Sequence, residues 1–250
     1  MRRVLAILSV GAVALAGCGD DGSASTGAGS IRVFAAASLT DAFADVAAAF
    51  ETANPGSSVA LAFAGSSSLR EQVLAGAPAD VLASASESDM ARVVAAGEVE
   101  APEVFATNRP QIVVPAGNPA GISGLDDFAD GDLLVGLCAE EVPCGDVGRR
   151  VLEAAGVTPS PDTEEPDARA LLTKVAAGEL DVGLVYVTDV ASAGDRVEGI
   201  DVPADIDVLA TYTIGALAGA GNPGLASAFV EFVVSDDGQA ILAEHGFEGP

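Results

Sequence analysis

The sequence predicts an α/β protein of two units, each a sheet flanked by helices. Short apolar runs alternate with segments of helical periodicity along almost the whole chain. Gly76, Gly156 and Gly178 follow three of the periodic segments, where helices commonly end. Asn108-Arg109-Pro110 interrupts the first series before a second one begins.

Residues 31–36 are an apolar run behind a turn-rich linker and read as a buried strand. Leu39, Phe43, Val46, Ala47 and Phe50 then recur at helical spacing until Asn54-Pro55-Gly56 stops the helix. A strand over 59–64, a helix over 69–75 and a strand over 79–83 follow, an order that points to a parallel sheet with helices on both faces. After the break, strands are expected at 111–114, 133–137 and 182–187, and helices at 147–155 and 168–177. The Pro- and acid-rich stretch 158–167 reads as a connecting loop. A strand near 208–217 and helices over 225–234 and 238–245 complete the chain. The middle series has its own strands and helices, so one lobe is expected to combine 31–108 with 210–250 and the other to hold 109–209.

Composition narrows the function. Half of the 250 residues are apolar, too many for a disordered acidic chain. The 37 Asp and Glu against 11 Lys and Arg give a formal charge of −26, which repels phosphate backbones and argues against nucleic acid as a partner. The acid is spread along the chain and reads as a solvated surface.

The first thirty residues read as an address. Arg2 and Arg3 precede an almost wholly apolar run from Val4 to Ala16, shorter than the roughly 20 residues a bilayer span needs. Leu15-Ala16-Gly17-Cys18 resembles a bacterial lipobox, so residues 1–17 are expected to be removed and Cys18 to carry lipid. That cleavage takes away two arginines and no acid, moving the charge from −26 to −28. Residues 18–30 have the composition of a flexible tether. The domain is thus expected outside the cell, anchored at the outer face of the cytoplasmic membrane. Cys138 and Cys144 remain, an even number in an oxidising compartment, and a disulfide between them is expected. A zinc site has little support, because no Cys-x-x-Cys pair is present and His245, the only His, is distant in sequence.

Three junctions could hold a ligand where strands give way to helix N-termini. They are the segment around Ser38, the segment Phe63–Leu69 around Ser66, and the turn 143–148. From the residues alone, Ser38 and Ser66 read first as N-caps, and their recurrence at two strand–helix junctions keeps hydroxyl donation to a ligand open. None of the three centres on Lys or Arg, and no phosphate-binding Gly-x-x-x-x-Gly-Lys loop occurs. No Gly-x-Ser-x-Gly elbow is present, His245 reads as a helix end, and no carboxylate pair is singled out for acid–base work.

These junctions carry a family resemblance. A-A-A-S-L-T-D-A-F at 35–43, F-A-G-S-S-S-L at 63–69 and G-A-P-A-D-V at 76–81 resemble the molybdate-binding proteins of bacterial ABC importers. So do V-G-L-C-A-E-E-V-P-C-G at 135–145, A-R-A-L-L-T-K-V at 168–175 and G-L-V-Y-V-T-D at 183–189. The resemblance implies a type II periplasmic-binding-protein fold with a tetrahedral oxyanion in the cleft between lobes. It implies ligand contacts from Ser38, Ser66 and Tyr186 through hydroxyls, and from Cys144 and Ala168 through backbone N–H groups. A Tyr within the apolar run at 184–187 reads by itself as a core residue; the motif around it reverses that reading. A monomer that delivers molybdate, and tungstate as well, to a membrane permease is expected, with no catalytic residue, no cofactor and molybdenum only as the bound oxyanion. The alternatives are another oxyanion, such as sulfate or phosphate, or an enzyme on the same scaffold.

Overall fold

The structure is a computed structural model that describes residues 29–250. The expected signal 1–17, Cys18 and the tether up to residue 28 lie outside the described residues.

The first half supplies strand β1 (Gly29–Ala36), helix α1 (Thr40–Ala53), β2 (Ser57–Ala64), α2 (Ser66–Leu74), β3 (Val81–Ser84), α3 (Glu87–Ala95) and β4 (Glu103–Asn108). A turn of 3-10 helix, Ala37–Leu39, links β1 to α1. The middle contributes β5 (Pro110–Pro115), β6 (Val135–Cys138), α4 (Pro143–Ala154), β7 (Thr163–Glu165), α5 (Ala168–Ala176), β8 (Val182–Tyr186), α6 (Val187–Ala193) and β9 (Val197–Asp201). Then come β10 (Ala210–Ala216), α7 (Pro223–Val234) and α8 (Asp236–Glu244).

Ten strands make two five-stranded sheets with the same plan. The first runs β2-β1-β3-β10-β4 and the second β7-β6-β8-β5-β9. Only Arg109 separates β4 of the first sheet from β5 of the second, and the chain returns between β9 and β10. Neither sheet is wholly parallel as expected. β10 runs antiparallel to β3 and β4, and β5 antiparallel to β8 and β9. A strand that crosses from the other sheet enters without a covering helix of its own, so the right-handed crossover that enforces parallel pairing is absent.

Alternation along β1 explains the helices on both faces. Ile31, Val33 and Ala35 join Phe43, Val46 and Phe50 of α1 and Phe229 and Val233 of α7. Phe34 points the other way, into a cluster with Leu69 and Val73 of α2 and Met90 and Val93 of α3. The Phe50 and Phe229 rings meet edge to face, with centroids 5.2 Å apart. Each such side chain contributes about 1.5–3 kcal/mol by burial alone. α8 closes the first unit by packing on α1 and α7. The second sheet buries Ile112, Val114, Leu137, Val182 and Leu184 against Phe128, Val151 and Leu152.

Several boundaries differ from the sequence expectation. Gly29 and Ser30, expected in the tether, pair with Ser57 and Ser58 as the start of β1; their side chains are exposed, so no apolar signal marks them. The turn expected at 143–148 is already helix, because Pro143 at the first helical position has its φ set for it. The loop 158–167 contains β7, an edge strand whose Thr-Glu-Glu sequence shows no apolar alternation. The strand expected to reach Val187 stops at Tyr186, where the Asp189 carboxylate accepts the Tyr186 N–H at 3.2 Å and opens α6. Helix α3, capped by Ser86 accepting from the Asp89 N–H, was carried by a Ser-x-x-Asp signal that the sequence reading passed over.

Candidate functional site

Ser38, Ser66, Cys144, Ala168 and Tyr186 line one small cavity between the two sheets. They come from the carboxyl ends of parallel strands: Ser38 after β1, Ser66 after β2, and Tyr186 at the end of β8. Cys144 follows β6 and opens α4, and Ala168 follows β7 and opens α5. Convergence of first helical turns from α2, α4 and α5 brings unpaired backbone N–H groups and positive helix ends to one point. The volume open to the centre of a water-sized sphere is about 20 Å³. The cavity is therefore small and suits a compact group.

The hydrogen bonds around this cavity leave donors pointing inward. Ser66 Oγ accepts the N–H of Ala85 at 3.0 Å, so its own proton is free. Tyr186 is 2% exposed and its hydroxyl has no partner among the described residues. Burial pushes the Tyr186 hydroxyl well above its usual pKa, so it stays protonated and can only serve an acceptor by donating. Ser38 Oγ lies 2.8 Å from the Tyr212 hydroxyl. Asp167 is the one charged residue on the lining, and its carboxylate caps α5 by accepting the Ala170 N–H at 2.9 Å. A disulfide joins Cys138 to Cys144 and ties the start of α4 to the end of β6.

No Lys or Arg lines this cavity. Arg70 is paired with Asp89. Arg169 is paired with Asp41, donates to Ser192 Oγ at 2.8 Å, and has its Nε 3.4 Å from Asp189 Oδ1. Arg169, Asp41 and Ser192 border a larger neighbouring space of about 280 Å³, shared with Ser38 and His245. That space is open, and His245 Nε2 is 2.8 Å from Asp45 at its edge. Asp189 is fully buried, and burial raises its carboxyl to about 6 despite Arg169.

Both units are drawn together at the rim. Ser67 of α2 donates to the Glu141 carbonyl, and Asn108 at the end of β4 donates to Thr188 of α6 at 2.8 Å. A Cβ on Gly65 would sit 2.6 Å from the Pro166 carbonyl oxygen, so only glycine permits this approach. Asn108, Thr188 and Tyr212 escaped the sequence reading. Asn108 registers there only as part of a break, and Tyr212 only as one residue of an expected strand.

Residues 31–248 match the family model described as bacterial extracellular solute-binding protein. The molybdate-binding protein ModA of Mycobacterium tuberculosis (strain H37Rv) is 41% identical over 254 residues, covering 99% of this chain and 96% of that protein. Two solved structures share the fold. The periplasmic molybdate-binding protein of Azotobacter vinelandii superposes with a TM-score of 0.77 at 18% identity, over 88% of this chain and 99% of that one. The sulfate-binding protein SubI of Mycobacterium tuberculosis superposes at 0.78 and 21% identity, over 88% and 86%. The two-lobed α/β fold, the full-length match and the identity over nearly the whole chain place this chain in the bacterial extracellular solute-binding protein family, among the molybdate-binding proteins.

Proposed function

We propose that the protein captures molybdate, and tungstate with it, and hands the oxyanion to the membrane permease of an ABC importer. The observation that carries this reading is the set of neutral donors that the cavity gathers: hydroxyls of Ser38, Ser66 and Tyr186 and the first-turn amides of Cys144 and Ala168. A tetrahedral dianion without a proton offers only acceptors and matches such a lining group by group. Neutral dipoles suit an anion that must later be released, and selection against smaller sulfate rests on cavity size. The 41% identity to a molybdate-binding protein supports the choice of ion. The likeness to a sulfate-binding protein bears on fold alone.

On this reading the lobes are 31–108 with 210–250 and 109–209, joined at Arg109 and at the segment between β9 and β10, and they close on the ion as a monomer. The chain works as a binding protein with no catalytic step. Its sequence start supports export and lipid attachment at Cys18, and no helix among the described residues is long and apolar enough to cross a membrane. Equilibrium dialysis of residues 18–250 against molybdate, tungstate, sulfate and phosphate, read by elemental analysis, tests the proposal. Retention of molybdate and tungstate at a stoichiometry near one, with sulfate and phosphate far weaker, is expected. Tighter binding of sulfate than of molybdate would overturn it.

A further inference from the structure

Tyr212 lies outside the cavity, yet it decides what Ser38 can offer there. Its side chain is fully buried, packed edge to face against Phe105 and Phe247 with ring centroids 6.1 and 5.4 Å away. The Tyr212 hydroxyl has two polar neighbours: Ser38 Oγ at 2.8 Å and the Asn108 side-chain Nδ2 at 3.5 Å. A buried hydroxyl proton needs an acceptor. Asn108 Nδ2 is a donor and already gives one proton to Thr188 Oγ1, so it cannot be that acceptor. Ser38 Oγ is the acceptor that remains. Tyr212 therefore donates to Ser38, and the Ser38 proton, with no other partner among the described residues, turns into the cavity.

We propose that Tyr212 is the positioning residue that holds Ser38 as a donor and so withholds one acceptor that a tetrahedral anion carrying a proton would use. The inference rests on the oxyanion reading of this cavity and deepens it by naming what sets its polarity. The order runs in one direction: Asn108 amide to Tyr212 oxygen, Tyr212 proton to Ser38 oxygen, Ser38 proton to ligand. Burial also raises the Tyr212 hydroxyl far above its usual pKa, so the donor persists at any pH the fold meets. Hydrogen phosphate and sulfate are close in size, but phosphate keeps a proton near neutral pH and needs an acceptor. With Ser38 locked as a donor, that hydroxyl offers it none. When Tyr212 is Phe, the Ser38 hydroxyl can rotate and present a lone pair instead.

A double-mutant cycle on the otherwise intact domain tests this: wild type, Tyr212→Phe, Ser38→Ala and the pair, each titrated with molybdate and checked by melting without ligand. Tyr212→Phe keeps the ring and its packing. It is expected to weaken molybdate binding about threefold to tenfold in the wild-type background, the range of one neutral hydrogen bond. In the Ser38→Ala background the same change is expected to alter binding less than about twofold, because the residue through which Tyr212 acts is gone. Equal losses in both backgrounds would mean that Tyr212 matters only for packing and would overturn the inference. The second readout is competition of phosphate and of sulfate for bound molybdate. The gap between them should narrow at least about threefold in Tyr212→Phe, and general loosening would weaken both anions alike; an unchanged gap also overturns the inference. Failure of the wild-type chain to bind molybdate would instead strike the oxyanion reading itself, and this inference with it.

Discussion

Replacing Tyr186 by Phe deletes one oxygen and leaves the ring in place against Tyr212, 6.4 Å between centroids. In most buried tyrosines that change breaks a hydrogen bond and weakens the fold. Here the hydroxyl has no partner among the described residues, so no hydrogen bond among them is lost. Leaving a buried polar group unsatisfied costs about 1–3 kcal/mol, and the ligand-free variant should be as stable as the wild type or up to a few degrees more so. Binding should move the other way. A hydrogen bond to a charged group is worth about 1.5–3 kcal/mol, so the dissociation constant for molybdate should rise roughly 10- to 150-fold. Melting with and without ligand reads both effects in one assay. At molybdate one hundred times the wild-type dissociation constant, the wild type gains about 2.7 kcal/mol, whereas a variant weakened about 30-fold gains about 0.9 kcal/mol. A variant that melts lower without ligand yet binds molybdate normally would refute the reasoning, because Tyr186 would then be an ordinary core residue.

Arg70→Gln removes a charge that Asp89 holds away from the cavity, so molybdate affinity should change by less than about tenfold and show weak salt dependence; abolished binding would point to a site built on opposite charge. Gly65→Ala places a Cβ against the Pro166 carbonyl at 2.6 Å, and is expected to cut affinity at least about tenfold by calorimetry while leaving the ligand-free melting point within a few degrees. Reducing the Cys138–Cys144 bond, which closes a short loop, should lower stability by about 2 kcal/mol, seen as a melting point several degrees lower in reductant. For Asp189 the sign is set by burial, which raises the folded carboxyl to about 6 from 3.8. Its contribution to stability is complete below the unfolded value near 4 and is lost as pH climbs through 6, about 3 kcal/mol in all. Asp189→Asn lacks that loss, so denaturant titrations at pH 4 and pH 7 should show the variant gaining on the wild type by that amount; parallel pH profiles would contradict it.

Much of the architecture was legible in the residues because burial leaves a periodic trace. The helical spacing of Phe43, Val46 and Phe50 marks the face of α1 that meets β1, and the apolar run at 31–36 marks the strand beneath it. Gly76 and Gly178 sit at positive φ, 81° and 71°, where their helices stop. Exposed strands leave no such trace, which is why β7 and β9 were missed. The reversed direction of β5 and β10 was hidden as well, since strand direction depends on which sheet the chain has just left.

By itself the sequence determined six of the helices, the strands with buried apolar runs and the strand–helix junctions at Ser38 and Ser66, because each is a local pattern of side chains a few residues apart; α3, α6, β4, β7 and β9 were not read from it. It also carried, through motif resemblance, the names of five of the residues that line the cavity. Only the tertiary structure decided that Ser38 faces Tyr212 across 174 residues of chain, that the Ser66 oxygen is already engaged by Ala85, and that the Tyr186 hydroxyl has no partner among the described residues. Of these, the Ala85 contact occupies a lone pair of Ser66 and leaves its proton free to donate. A hydroxyl gives or accepts according to its neighbours, and here the neighbours belong to strands and turns that only folding brings within hydrogen-bonding distance.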